Sequence, residues 1–134
     1  MKKNLIIISF FIFTPISQAA TIVKEFRGSE SLTTAIFLVE APWLLDWRLD
    51  SDYDELVALD ITLIEAVTGR HVGRVLHTKR KGNGLKLFDH SGRYQLRVSS
   101  TLARWTLKIK QIKSEEKAFY TPKESKLKKN NPFR

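Results

Sequence analysis

Trp43-Leu44-Leu45-Asp46-Trp47-Arg48-Leu49 is the stretch whose reading decides the fold of this chain. Trp43, Leu45, Trp47 and Leu49 fall on one side of the repeat, and Asp46 and Arg48 fall on the other with Leu44. A period of two sends successive side chains to opposite faces of a strand, so one face is buried and the other is wet. The rhythm recurs on both sides of this segment. Upstream, residues 21–27 form a weaker strand ended by Gly28-Ser29-Glu30-Ser31, and residues 34–40 an apolar strand stopped by Pro42. Downstream, residues 56–66, 72–78, 85–88, 93–99 and 104–110 repeat it, separated by turn residues. Val57, Ile61, Thr62 and Ile64 are β-branched, which favours strand over helix in 56–66. Seven to eight short strands predict an all-β antiparallel sandwich, jelly-roll-like, over residues 21–112.

The start and end of the chain read differently. Lys2 and Lys3 precede an apolar run from Leu5 to Phe13, then Pro15 and the small residues Ser17, Ala19 and Ala20. That order is a secretory signal, expected over residues 1–20 with cleavage near Ala19 or Ala20. The run is too short to span a bilayer, which takes about 20 apolar residues. No cysteine occurs, so no disulfide, cysteine-linked lipid, thiolate zinc site or cysteine nucleophile is available. A cysteine-free exported chain points to a bacterial periplasm or exterior. Residues 113–134 lose the alternation, are rich in lysine, and read as a flexible basic tail.

Charge is distributed unevenly. Residues 21–65 hold 3 basic and 10 acidic side chains, whereas residues 66–112 hold 11 basic and one acidic. The whole chain is +9, which favours anionic partners without specifying a fold.

Near the end of the domain stand Gly92-Arg93-Tyr94-Gln95-Leu96-Arg97-Val98 and Trp105-Thr106-Leu107-Lys108-Ile109. This pair resembles the closing hairpin of small bacterial secreted β-sandwiches such as the pre-peptidase C-terminal type. The resemblance covers about a seventh of the chain. It implies a jelly-roll-like module, often non-catalytic, and carries no functional residue over.

Read as a hairpin, these strands set Arg93 near Lys110 and Arg97 near Thr106. Arg93, Arg97, Arg104, Lys108 and Lys110 would then share an outward face, extended by Lys79, Arg80 and Lys81 in the loop at residues 79–84. Like charges across strands cost stability, so something must offset them. One reading supplies an anionic ligand: a polysaccharide, a lipid head group or an acidic protein. The other places Glu40, Asp46 and Asp60 of the acidic half on neighbouring strands. Base-specific nucleic-acid binding lacks the exposed aromatics it needs, because Trp43, Trp47 and Trp105 fall on apolar faces. Tyr53 and Phe88 are freer.

Asp50, Asp52 and Asp54 alternate in a polar loop and could converge on calcium. Glu55 and Ile61 stand where an EF-hand loop needs glycine and a carboxylate, which leaves only a looser site or a solvated turn. His71 and His77, on one strand, are about 20 Å apart and cannot share a metal. No nucleophile elbow, phosphate loop or zinc-helix motif occurs. The expectation is an exported, non-catalytic binding module with a basic face and no cofactor. Self-association of acidic and basic halves, and a small hydrolase with carboxylates assembled in space, are the alternatives.

Overall fold

The computed structural model describes residues 20–121. The expected signal segment, up to residue 19, lies outside the described residues, as do residues 122–134. No helix among the described residues is long and apolar enough to cross a membrane.

The chain forms β1 (Thr21–Gly28), β2 (Leu32–Thr33), β3 (Phe37–Val39), β4 (Trp43–Asp50), β5 (Ala58–Glu65), β6 (His71–Thr78), β7 (Gly82–Phe88), β8 (Gly92–Thr101) and β9 (Arg104–Gln111). The first sheet has the order β1-β9-β4-β7, and the second β2-β8-β5-β6 with β3 also on β8. Every pairing is antiparallel. The expected strand over residues 34–40 is broken: β2 and β3 flank an irregular step where Thr34 bonds Leu96 through both its backbone N–H and its hydroxyl. Counted as one interrupted strand, they leave eight strands in two sheets among the described residues. First then pairs with last, second with seventh, third with sixth and fourth with fifth. That is a jelly roll, a long antiparallel ribbon rolled so that its two halves lie side by side.

The alternating apolar faces meet between the sheets. Trp43, Leu45, Leu59, Ile61, Leu96, Leu107 and Ile109 are wholly buried there. Each such side chain contributes about 1.5–3 kcal/mol by leaving water. Trp43 stacks on Phe88 with ring centroids 4.2 Å apart, and Phe37 meets Trp43 edge-on at 5.7 Å. Phe88, expected to be free, is thus part of the core wall, whereas Tyr53 is exposed.

The closing hairpin does not form. β8 belongs to the second sheet and β9 to the first. Leu102, in the left-handed region at φ 51, turns the chain from one sheet to the other, and Ala103 is buried at the crossing. Tyr94, Leu96 and Val98 therefore face Trp105, Leu107 and Ile109 across the core instead of standing beside them. Alternation is satisfied equally by a hairpin and by an arch between sheets, so the period of two could not separate them.

Two boundaries also move. The loop expected at residues 79–84 shrinks to 79–81, because β7 begins at Gly82. The tail expected from residue 113 starts as a 3-10 turn (Ser114–Glu116) and a short helix, α1 (Lys117–Tyr120), in contact with β7. Lys117 pairs with Asp89 there. Leu44 is only 1 % exposed although it lies on the outward side of β4.

Candidate functional site

The outward face of the first sheet reads as rows across its strands. Arg27, Thr106, Arg48 and Asn83 form one row over β1, β9, β4 and β7. Glu25, Lys108, Asp46 and Leu85 form the next. On the other flank of the arginine row, Asp50 of β4 pairs with Arg104 of β9. Adjacent strands are about 4.8 Å apart, so Arg27 and Arg48 start from backbones about 10 Å apart with Thr106 between them.

Arg27, Arg48 and Arg104 line an open groove of about 570 Å3, together with Asp50, Gly28, Ser29 and Trp105. Gly28 sits directly over the Trp105 ring, where a Cβ would come within 2.6 Å of an indole carbon. The Trp105 Nε1–H donates to the Glu30 carbonyl at 3.2 Å, fixing the loop that forms the groove wall.

The three guanidinium groups differ in their partners. Arg27 binds Glu25 two residues back on its own strand, at 2.7 Å. Arg104 clamps the acidic loop: it donates to both Asp52 oxygens at 2.9 and 3.1 Å and to Asp50 at 2.9 Å. These bonds hold the Asp50 and Asp52 carboxyls below the ordinary aspartate range and raise the Arg104 pKa. The Arg27 hydrogen bond likewise holds the Glu25 carboxyl low. Arg48 has no carboxylate within ion-pair distance among the described residues.

The basic residues expected on one face are divided. Arg104, Lys108 and Lys110 lie on the outward face of the first sheet, and Arg93 and Arg97 on that of the second. Lys110 pairs with Asp46 at 2.8 Å, and Lys108 lies in register between Glu25 and Asp46. Asp60 binds Arg74 at 3.3 Å and His77 at 2.9 Å. Two of the three named first-half acids, Asp46 and Asp60, thus meet second-half cations, whereas Glu40 bonds Gln111 only through its backbone. Lys79 and Arg80 are exposed and make no ion pair among the described residues, whereas Lys81 binds Asp54 at 3.0 Å.

Asp50, Asp52 and Asp54 each therefore face a cation side chain. Among the described residues no group of three His, Cys, Asp or Glu is placed to hold a metal. Arg27 and Arg48 were missed by sequence reasoning. Arg48 already stood on the polar side of its strand; what could not be read is that β4 and β1 flank β9.

A smaller cleft of about 220 Å3 opens between the edge strands β6 and β7, lined by Val72, Phe88 and Tyr94 among others. Two of its polar side chains are engaged: Trp43 Nε1–H donates to the His90 carbonyl at 2.9 Å, and the Tyr94 hydroxyl to the Ser91 carbonyl at 3.2 Å.

No known protein family matches this sequence, and no curated protein does.

Proposed function

We propose that this chain is an exported, non-catalytic binding module that holds an anionic polymer, such as an acidic polysaccharide, in the arginine groove of its first sheet. One observation carries the reading. Three neighbouring strands deliver guanidinium groups to one groove, and Arg48 stands among them without a carboxylate. Arg27 and Arg104 already have carboxylate partners, and a ligand carrying sulfate, phosphate or carboxylate groups would supply the one Arg48 lacks through charge-assisted, bidentate bonds. Thr106 and Ser29 add hydroxyl donors to the same groove. Asp50, which lines the groove, and Asp52 beside it are both engaged by Arg104, which favours binding over acid–base chemistry there. Export is supported by the leader pattern over residues 1–20.

First-half and second-half strands alternate in both sheets, which favours the groove over head-to-tail contact between an acidic and a basic half.

Retention of the full chain on immobilised heparin tests the groove. Arg48→Glu is expected to elute at clearly lower salt than the parent, and at lower salt than Arg97→Glu on the opposite sheet. Equal retention of the Arg48 variant and the parent would remove the groove as the site.

A further inference from the structure

The outward face of the second sheet combines apolar and cationic exposure in a way the groove does not. Ile36 and Leu38 on its edge are 53 % and 63 % exposed, and Val67 in the β5–β6 turn is 74 % exposed. Arg93 stands among them. Leu38 is its cross-strand partner on one side. On the other, Ala66, next to Val67, donates its backbone N–H to the Arg93 carbonyl at 2.9 Å. Arg97, four residues along β8 on the same face, lies between Thr33 and Thr62. Neither arginine has a carboxylate within ion-pair distance among the described residues.

We infer that this face docks on an anionic lipid bilayer, with Leu38, Val67 and Ile36 entering the acyl boundary and Arg93 and Arg97 held at the phosphate plane. The charge pattern selects this partner. A soluble polyanion would satisfy the arginines and leave three aliphatic side chains in water. An uncharged apolar surface would cover the aliphatics and desolvate two unpaired guanidinium groups. The headgroup boundary of an anionic bilayer accepts both, because its apolar depth and its negative plane lie within one side-chain length of each other. The surface is independent of the arginine groove, which lies on the other sheet, so either proposal can fail alone.

Co-sedimentation of the full chain with vesicles tests it, comparing phosphatidylglycerol mixed into phosphatidylcholine with phosphatidylcholine alone. Binding is expected only to the mixed vesicles. It should weaken roughly tenfold in the double variant Leu38→Asp/Val67→Asp, and about fivefold for each of Arg93→Ala and Arg97→Ala. Lys24→Ala, on β1 of the other sheet and outside the groove, should bind like the parent. The chain has no cysteine, so single nitroxide labels at Leu38→Cys and at Leu56→Cys, in the loop between β4 and β5, report depth directly. The label at 38 should become accessible to oxygen and shielded from a water-soluble relaxant on binding, and the label at 56 should stay aqueous. Unchanged binding of the double aspartate variant, or an aqueous label at 38 on bound protein, would show that basic segments elsewhere hold the vesicles and would overturn the inference.

Discussion

The outward faces of the two sheets are built from the same halves of the chain and end up differently charged. On the first sheet β9 lies between β1 and β4, and those strands bring Glu25, Asp46 and Asp50 to the outward side. Lys108, Lys110 and Arg104 thereby gain carboxylates beside them. On the second sheet β8 lies between β2/β3 and β5, and the outward positions level with Arg93 and Arg97 are Leu38, Thr33 and Thr62. Only Asp60 reaches that face from β5, and Arg74 and His77 of β6 occupy it. Rolling the ribbon interleaves an acidic half with a basic one, but neutralisation still depends on which alternating positions hold the acids. A charge asymmetry along a sequence is therefore compatible with one face on which most cations are paired, Arg48 excepted, and another whose central strand β8 carries unpaired ones.

The sharpest way to break this comparison is to remove a carboxylate from the paired face. Lys110 and Asp46 are only 24 % and 13 % exposed at their side chains. Asp46→Ala leaves the Lys110 ammonium partly desolvated with no partner, which should cost about 2 kcal/mol in urea unfolding. Arg97→Ala on the second sheet should change stability by less than about 0.5 kcal/mol, as an exposed substitution outside any pair. If the two variants lose equal stability, the faces do not differ in the way described.

Much of this architecture was legible from the rhythm of the sequence. Trp43, Leu45, Leu96, Leu107 and Ile109 are inward as their alternation requires. The partner of each strand was not legible. Tyr94-Leu96-Val98 and Trp105-Leu107-Ile109 fit a shared sheet face and opposed faces equally well, and the single basic surface depended on choosing the first. Arg104 illustrates the same limit at the site. Its position next to Asp50 follows from β4 pairing with β9, 54 residues apart in the chain, and no local spacing encodes that.

The acid side of the stability profile offers a second probe of the paired face. Asp50 and Asp52 have folded pKa values below their ordinary 3.8, chiefly through hydrogen bonds from Arg104. A depressed folded pKa contributes stability that is present above the unfolded value and lost as pH falls through the folded one. The first sheet should therefore lose its hold on the acidic loop only below about pH 3.8. Both carboxyls are exposed, so solvent screening keeps the effect modest. In Arg104→Ala the two carboxyl titrations, followed by carbon NMR, should move up toward 3.8. Titrations that stay in place in that variant would assign the depression to some other donor.

The gentlest test runs the other way and gives the second sheet what the first one has. Thr62 lies in register between Arg97 of β8 and Arg74 of β6, and its side chain points outward. Thr62→Glu places a carboxylate between two cations, as Asp46 lies between strands on the opposite sheet. Opposite charges on neighbouring strands contribute roughly 0.2–1 kcal/mol, set against the lower strand preference of glutamate relative to threonine. The net expectation is a gain of about 0.5 kcal/mol that disappears in 1 M salt, where screening acts within about 3 Å. The same change should weaken vesicle binding, because it neutralises Arg97 without touching Leu38 or Val67. A stabilised variant that binds vesicles as well as the parent would separate the two roles, leaving the unpaired arginines as an electrostatic cost unconnected with lipid.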